Sequence, residues 1–444
     1  MTRDIHYSVS TVGASTDLKN GGAGVTISIT GGTGTFNIVQ TGNIGIGCEV
    51  IYGTTNSVFI SSIAEILSGG IYKVNLINKT GIAPSNTGAT TVNFIYYEFA
   101  SLSAASTALE DTNHLGTDNL ITGDYRVYIW GYKGTSTHNI GTWNNLNDTG
   151  TDENRRVIVA TPTGGHLSLY NNRHSGIPLY YTLNQYFQID QNTTQSNSIS
   201  DDYMVFSGIV FIRNQGSFTQ PYMVTLNGPT HQTGVTFDQC LFSGTQNPDT
   251  QGELYGIRMA AAGGKPIVRN CLFLDMQYGI RETSALTGIR PLVQNCTFFN
   301  CGSGYYSAGT GNQGVIQNSI FASTNTGIYK AFAGTKTNLT VQNCATAEAT
   351  GTNPIAFTTG QLLTNFVNYS GKNFHLVQNA PDYEDVGLDL SAYFTYDVDS
   401  DYRGTSWSIG FDEYYEEPAA PILSCQIILT ANKLYLAAGR LLLS

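Results

Sequence analysis

The chain has 444 residues and a formal net charge of −11, and only 12% of its residues are charged, about half of the usual quarter. Glycine is frequent, with 49 residues, and there are 27 tyrosines and 20 phenylalanines. This composition disfavours helical bundles, which need charged residues and alanine on exposed faces, and it disfavours disorder, because enough apolar surface is available for a core. The length predicts about two or three domains, rich in β-strands and turns.

The charge and the hydropathy pattern exclude further classes of function. A net charge of −11 without a cluster of lysine or arginine disfavours a nucleic-acid partner, because phosphate would be repelled. The first residues lack the apolar core of a secretory signal peptide, and no apolar stretch is long enough for a membrane span. We therefore expect no nucleic acid, no signal peptide and no membrane insertion.

Residues 1–98 predict a small antiparallel β domain, because short strand-like pieces alternate with turns rich in Gly, Asn and Ser. The pieces are Gly24–Ile29, Thr35–Val39, Glu49–Tyr52, Ser57–Ser62, Ile71–Leu76 and Thr91–Phe99. Residues 101–111 then predict a helix with Ser101 or Ser103 as its N-cap. Such a helix can cover the open end of a stack of strands. A strand with Tyr125, Val127 and Ile129 on one face follows it.

A repeat of about 24 residues runs through the middle of the chain. One mark is a small residue in segments such as IVRNCLF and LVQNCTF, at Cys240, Cys271, Cys296, Ser319 and Cys344. A second mark is a glycine in segments such as YGIR and TGIY, at Gly256, Gly279, Gly304 and Gly327. Short β-prone pieces separated by Gly and Asn turns are typical of a parallel β-helix, whose coils stack about 4.8 Å apart. We expect an all-β solenoid of roughly eleven coils.

Stacking predicts columns of equivalent residues. The Cys and Ser positions are expected to face the interior, and Asn270, Asn295, Asn318 and Asn343 to form a ladder at one turn, since Asn tolerates left-handed backbone geometry. A cysteine column can suggest a nucleophile or metal ligand, but no general base accompanies it and the interior is closed to substrate. With no CxxC pair, buried free thiols are the favoured interpretation of these cysteines.

Arginines and aromatic side chains give candidate binding residues. Arg258 and Arg281 stand in the two YGIR segments near Glu253 and Glu282, and they predict either a row of solvated ion pairs or a saccharide-facing strip on one outer face. Tyr180, Tyr181, Tyr305 and Tyr306 lie among Asn, Thr and Gln. That combination suits either sugar stacking or a subunit interface.

Two segments carry a resemblance to a known family. The helix at 101–111, the Gly-Asp turn after it and the next strand resemble the entry into right-handed β-helix proteins of the pectate-lyase-like superfamily. NFHLVQNAPDYEDVGLD and DVDSDYRGTSWSIGFDEY are similar to the closing segment of surface and phage β-helix proteins. The matching positions are Phe374, Leu376, Pro381, Gly387, Asp397, Asp399, Arg403, Ile409, Gly410 and Glu413. The resemblance covers residues 101–417 and implies a right-handed parallel β-helix, but this superfamily includes lyases, hydrolases, adhesins and virion proteins.

The resemblance also defines what an active site would need. Lyases of the superfamily use an acidic Ca²⁺ cluster with a Lys or Arg base, and its glycoside hydrolases use carboxylates that face one another across a sugar. The candidate catalytic residues are Asp201, Asp202, Glu253 and Glu282. Neighbours such as Asp201 and Asp202 point to opposite faces of a strand, and the Asp-Asp, His-Gly and Arg-x-Lys set of the polygalacturonase branch is not present. The sequence therefore disfavours an enzyme.

One acidic loop is a candidate metal site. Asp397, Asp399 and Asp401 have the spacing of a calcium loop, but Tyr402 and Ser408 occupy the places where the EF-hand form has Gly and Glu. The alternatives are a turn with exposed carboxylates, which we favour, and a Ca²⁺ site. No other cofactor is expected.

These features predict a virion protein made of three parts. Residues 1–98 would be an attachment domain, residues 99–417 a capped β-helix, and residues 418–444 a strand pair for oligomerisation. The expected protein is a phage tail spike, tail or head fibre or capsid-attached appendage. It would form a homotrimer and contact other virion proteins through its first or last part. It would bind host-surface polysaccharide. The alternatives are a polysaccharide depolymerase and a bacterial surface adhesin.

Overall fold

The structure of the protein is a computed structural model. It describes residues 2–19, 24–40, 44–67, 71–109, 111, 114–138, 140–143, 150–162, 186–190, 197–213, 222–227, 233–244, 254–260, 265–283, 291–308, 314–322, 330–334, 338–347, 351–356, 358–399, 401–413, 427–430 and 433–436.

Most strands belong to a parallel β-helix, in which each coil adds one strand to each of several sheets. Sheet I has nine parallel strands, one from each successive coil. In the order of the sheet they are β1 (Arg3–Val9), β8 (Tyr125–Gly131), β10 (Val157–Ala160), β13 (Val205–Ser207), β16 (Thr233–Asp238), β19 (Lys265–Arg269), β21 (Leu292–Gln294), β23 (Val315–Gln317) and β26 (Thr340–Gln342).

Sheet II has thirteen parallel strands and covers two further faces of the β-helix. Its long strands, β20 and β22, each pair with shorter strands on both faces and so join them. The strands are β9 (Thr142–Trp143), β11 (Gln188–Asp190), β12 (Ser198–Ile199), β14 (Val210–Ile212), β15 (Tyr222–Leu226), β17 (Leu241–Ser243), β18 (Tyr255–Met259), β20 (Leu272–Glu282), β22 (Thr297–Ser307), β24 (Ile320–Ala322), β25 (Lys330–Gly334), β27 (Ala345–Thr346) and β28 (Ile355–Ala356).

The fold class predicted from the repeat is confirmed, but the coil count is not. Among the described residues sheet I has nine strands rather than about eleven, because the first coils are much longer than the 24-residue period. Ile158 and Val205, for example, are neighbours in adjacent strands although more than forty residues separate them in sequence.

Interior columns fill the β-helix as the repeat predicts. Phenylalanine rings stack with centroids 4.6 to 4.7 Å apart from Phe211 through to Phe321. The predicted small-residue column is fully buried, from Cys240 to Cys344. Burial raises the pKa of Cys271 far above that of an exposed thiol, so this thiol is protonated and has no access to substrate.

The asparagine ladder is also confirmed. Asn270, Asn295, Asn318 and Asn343 have φ angles of 51°, 47°, 50° and 49°, which lie in the left-handed region. Each therefore makes the sharp turn between a strand of sheet I and the next strand of sheet II at the low steric cost that Asn allows.

Three short helices are described: α1 (Leu102–Ala108), α2 (Leu120–Gly123) and α3 (Thr359–Asn365). Ser101 is the N-cap of α1, and its side chain accepts a hydrogen bond from the backbone N–H of Ala104. Leu102 and Ala105 join the solenoid core beside β9, the first strand on its side of sheet II. The predicted cap helix thus lies at the end of the stack.

The small antiparallel domain is a closed six-stranded barrel. Its strands are β2 (Thr26–Thr30), β3 (Thr33–Phe36), β4 (Glu49–Tyr52), β5 (Asn56–Leu67), β6 (Ile71–Ile77) and β7 (Thr87–Tyr96). The predicted domain of residues 1–98 differs at its start, because β1 pairs in parallel with β8 and is the first strand of the β-helix. The barrel is therefore an insertion. It packs on sheet I through Trp130 and Tyr132, and the Tyr132 hydroxyl donates to the carbonyl of Ile46 at 2.8 Å.

Residues 366–413, the closing segment, run back along the outside of the β-helix. The segment begins with the antiparallel strands β29 (Phe366–Asn368) and β30 (Asn373–Leu376). Its apolar side chains cover the outer face of sheet II, which is itself apolar at Leu241, Leu272 and Ile320. The predicted C-terminal strand pair is confirmed as the antiparallel strands β31 (Ile427–Thr430) and β32 (Lys433–Leu436).

Candidate functional site

A groove runs along the outer face of sheet I. Its floor lies on the coils of β16, β19, β21 and β23, which follow the coils that the barrel covers. Its floor is one outward column in which Thr236, Ile267, Leu292 and Val315 lie side by side in successive strands. The next residue in each strand, such as Phe237 or Val268, points into the core. The groove encloses about 750 Å³. Ile267, Leu292 and Val315 are only half-buried, so the apolar floor remains accessible.

Polar side chains form one wall of the groove. Glu153, Arg156, Tyr203, Lys265 and Asn338 line it, and Glu153, Lys265 and Asn338 are exposed. Two cations therefore stand beside one carboxylate, so the local charge is opposite in sign to that of the whole chain.

Arg156 is the most constrained residue of this wall. Burial lowers the pKa of its guanidinium, and the nearby carboxylate of Glu153 partly opposes this effect. Its Nε atom is buried and has no hydrogen-bond partner among the described residues. A buried guanidinium N–H without a partner is costly, so an acceptor in the groove would stabilise it.

Tyr203 is held beside Arg156 by local backbone geometry. Its φ angle of 55° is left-handed, and its ring packs over Gly234. A Cβ atom at Gly234 would lie 2.6 Å from the Tyr203 ring, so this glycine is required for the close approach.

A row of amide side chains flanks the floor on the side of the asparagine ladder. Gln294 Nε2 donates to Gln317 Oε1 at 2.9 Å, and Gln317 Nε2 donates to Gln342 Oε1 at 2.8 Å. Arg269 pairs with Asp238 at 2.9 Å in the same outward column. The groove thus combines an apolar floor with polar groups on both sides, and it lies along the axis of the β-helix.

None of the candidate residues chosen from the sequence lines this groove. A signal was nevertheless present, because the floor residues stand four positions before the repeated small residue, as Ile267 does before Cys271 and Leu292 before Cys296. An apolar outward position is easily taken for core in a sequence, because the pattern does not show which face is covered.

The predicted arginine strip lies on the other side of the β-helix, and its cations stack on tyrosines. Arg281 lies over the rings of Tyr255, Tyr278 and Tyr306, with distances to the centroids of 4.4, 4.9 and 5.4 Å. Arg258 lies over the Tyr222 ring at 5.1 Å. The arginine faces thus contact protein rings. The choice between an ion-pair row and a saccharide-facing strip also involves Glu253, which lies outside the described residues, and it stays a prediction.

Glu282 and Tyr305 occupy interior positions, which corrects the expectation of a charged strip that includes Glu282. Both side chains are almost completely buried, and the Tyr305 hydroxyl donates to Glu282 Oε1. Ser307 Oγ donates to Glu282 Oε2 at 2.7 Å. The carboxylate is therefore enclosed by hydroxyl groups inside the β-helix. Glu253, Tyr180 and Tyr181 lie outside the described residues.

The remaining catalytic candidates are buried as well. Asp201 is 1% exposed and Asp202 is 6% exposed, in the turn that connects β12 to β13. The structure does not bring them together with Glu282 at one surface. A pair of carboxylates facing a common space, as glycoside hydrolysis requires, is thus not formed by the described members of this set.

The acidic loop is a structural turn of the closing segment. Asp397 is fully buried, and its Oδ1 accepts the backbone N–H groups of Asp399 and Asp401 while its Oδ2 accepts that of Glu413. Burial raises the pKa of Asp397, and the positive charge of Arg403 opposes this rise. Both oxygens of Asp397 thus hold the turn, but this carboxylate is buried and not exposed as the favoured interpretation expected.

Comparisons with known proteins support the fold. The family model described as "Right handed beta helix region" matches residues 207–367. The comparison with curated proteins gives no match, and neither does the comparison with solved structures. In the part of the chain that the structure describes, no helix is long and apolar enough to cross a membrane. The parallel pairing of sheet I extends on both sides of the matched residues, and the protein is therefore a right-handed parallel β-helix that carries an inserted barrel.

Proposed function

We propose that the protein is a structural and recognition component of a virus particle, a phage tail spike, fibre or capsid-attached appendage, that binds host-surface polysaccharide in the groove on sheet I. The groove is the observation that carries the binding part of this proposal. It is long, open and lined by fixed strands, so an extended ligand can bind without rearrangement of the backbone.

The side chains of the groove favour an acidic polysaccharide. Arg156 and Lys265 provide positive charge, and a guanidinium can donate two parallel hydrogen bonds to a sugar carboxylate. The Tyr203 ring, held over Gly234, offers a face for sugar stacking. The apolar floor suits the C–H faces of pyranose rings, which are less polar than their edges.

The particle assignment is supported by the arrangement of the parts. A rigid β-helix that holds a compact barrel at one end suits a protein that must be anchored at one place and bind at another. We propose that the barrel or the C-terminal strand pair attaches the protein to other virion proteins, and that the assembled form is a trimer. This part rests on analogy of architecture.

Binding of an acidic polysaccharide by the purified full chain tests the proposal. We expect Arg156→Gln to weaken binding at least about tenfold, because a charge-assisted hydrogen bond contributes roughly 1.5–3 kcal/mol. The matched control is Arg155→Gln, since Arg155 is adjacent in sequence but is paired with Asp124 and Asp152. Microscale thermophoresis with acidic and neutral capsular polysaccharides measures the difference.

Equal loss in the Arg155 and Arg156 variants, or equal binding of acidic and neutral glycans, would contradict this use of the groove. The same incubation also tests the alternative of a depolymerase. Sustained release of new reducing ends, abolished by changing Glu153, would replace recognition by catalysis as the function of the groove.

A further inference from the structure

A second group of polar side chains lies in the closing segment, away from the groove. His375 is on β30, Asp399 is in the acidic turn, and Asp412 is near the end of the segment. One donor atom from each of the three side chains lies within 4.8 Å of the other two. His375 Nε2 and Asp399 Oδ2 are already 2.8 Å apart.

The orientation of the His375 ring is fixed by its other nitrogen. Asn373 Oδ1 accepts the backbone N–H of His375 at 3.2 Å, which identifies this atom as the amide oxygen. The same oxygen lies 2.6 Å from His375 Nδ1. An oxygen that only accepts requires the proton on Nδ1, so Nε2 is the atom presented to the two carboxylates. Metal-binding histidines are commonly held in this way.

One of the two carboxylates is fixed as well. Asp412 is 5% exposed, and its Oδ2 accepts the backbone N–H of Leu376 at 2.7 Å. Arg403, the nearby arginine of the same segment, is paired with Glu413 at 3.2 Å.

We propose that His375, Asp399 and Asp412 bind one divalent transition-metal ion, with Zn²⁺ as the best match. Histidine nitrogen and carboxylate oxygen are both zinc ligands, at distances of about 2.0–2.2 Å. Donors at those distances in a tetrahedral site are roughly 3.3 Å apart, so the present spacing needs only a small adjustment. A water molecule would complete the coordination.

The donor set also distinguishes this site from a calcium loop. Ca²⁺ takes about six to eight oxygen ligands, whereas this group offers one nitrogen and few oxygens. Asp397, which a calcium loop would use, has both oxygens engaged by backbone N–H groups. A metal at this place would join β30, the acidic turn and the end of the closing segment.

The test is metal binding by the purified, untagged full chain after treatment with a chelator. We expect one Zn²⁺ per chain by calorimetry, and Co²⁺ to give the visible absorption of a tetrahedral site with nitrogen and oxygen ligands. Asp399→Asn and His375→Gln should each weaken Zn²⁺ binding at least about tenfold. Asp399 is exposed, so its substitution tests the site without disturbing the core.

His114→Gln is the matched control, because His114 pairs with a single carboxylate, Glu98, at 2.8 Å. Its Zn²⁺ affinity should equal that of the unchanged chain. Absence of Zn²⁺ binding, or binding by the Asp399 and His375 variants that equals that of the unchanged chain, would overturn the proposal and leave a proton between His375 and Asp399. Stronger binding of Ca²⁺ than of Zn²⁺ would overturn the choice of metal.

Discussion

Buried polar residues of the solenoid differ in whether another protein group forms a hydrogen bond with their side chains. Glu282 accepts hydrogen bonds from two hydroxyl groups. Hydroxyl groups can form hydrogen bonds with a carboxyl group whether it is neutral or charged. His138 is 3% exposed, and neither ring nitrogen has a hydrogen-bond partner among the described residues. Its ring instead packs against Phe187, with centroids 4.6 Å apart. Such a site accepts a neutral imidazole and disfavours an imidazolium.

This difference predicts a pH dependence of stability. Burial lowers the pKa of His138 to about 4, while histidine in an unfolded chain titrates near 6.5. Between these values the unfolded chain binds a proton that the folded chain does not, so folding is weakened as pH falls through this window. We expect the His138 contribution to decrease by about 3 kcal/mol from pH 7 to pH 4.

Urea unfolding of the unchanged chain and of His138→Phe at both pH values measures this contribution. The contributions of other groups cancel in the difference, and the variant should lose less stability on acidification. An identical loss in both chains would show that protonation of His138 is not its cause.

The residues of the interior were accessible to sequence reasoning, and those of the groove were not. The positions of Cys271 and Asn295 recur in each copy of the repeat, so their environments follow from stacking alone. Tyr203 and Arg156 do not belong to the repeated pattern. Their proximity depends on coils of unequal length, which no periodic pattern in the sequence indicates. Glu282 was misjudged for a related reason, since an acidic residue inside a β-helix is exceptional.

At the scale of elements, the asparagine ladder has a second role as the docking surface for the closing segment. Asn318 Nδ2 donates to the carbonyl of Leu388 and its Oδ1 accepts the N–H of Leu388, both at 2.8 Å. Asn343 Nδ2 donates to Val386 O at 2.8 Å. At the other end, Arg403 is buried against Asn270 Oδ1 at 3.0 Å. One row of turns therefore fixes the path of the whole segment.

A pair of substitutions at Asn318 separates its two roles. Asn318→Gly keeps the left-handed backbone but loses both hydrogen bonds to Leu388, for a cost of about 2 kcal/mol. Asn318→Ala loses the bonds and adds backbone strain of roughly 1–2 kcal/mol. We expect Ala to be the more destabilising change in urea unfolding, and both variants to show faster proteolysis of the closing segment.

Asn353→Gly provides the control, because Asn353 has a φ angle of 49° and is exposed. Its effect on unfolding should be close to zero. Equal stability of the Asn318→Gly chain and the unchanged chain would show that the ladder does not hold the segment.

This docking could not be read from the sequence. The motif positions Asp397, Arg403 and Glu413 indicated a closing segment, and Arg403 pairs with Glu413 within it. Arg403 also donates to Asn270, more than a hundred residues earlier. Contacts of that kind leave no spacing rule, whereas the turn in which Asp397 lies is local and was predictable.

At the scale of the whole molecule, the barrel is inserted at one place in the chain of the β-helix, directly after β1. The N–H of Ser10 donates to Phe99 O at 3.0 Å, and the N–H of Phe99 donates to Ser8 O at 2.9 Å, so the chain leaves and returns at adjacent positions. A domain inserted between adjacent positions can be removed without opening the solenoid.

We therefore expect a chain in which residues 12–97 are replaced by a short Gly-Ser linker to fold as a β-helix and to keep polysaccharide binding. Trp130 and Tyr132 should be changed to polar residues in that variant, because the barrel covers them. Circular dichroism and the glycan assay measure both properties. Under the proposed function the variant should no longer enter virus particles.

Normal incorporation of this variant into virus particles would show that the barrel does not attach the protein to the particle. Loss of the β-helix itself would show that packing of the barrel on sheet I is needed for its stability. A second control is the Trp130 and Tyr132 substitutions in the full chain, which should weaken the packing of the barrel without removing it.

The direction of the closing segment has a consequence for how the protein is made. The segment leaves the ribosome after the coils that it covers, yet it shields Leu241, Leu272 and Ile320 on the outer face of sheet II. Until synthesis reaches residue 413, those side chains form an exposed apolar sheet that can associate with other nascent chains. Contacts over such long separations also make folding slow, since loop closure must precede them. Growth at low temperature or with chaperones should therefore raise the soluble yield of the full chain, and truncation before the closing segment should lower it.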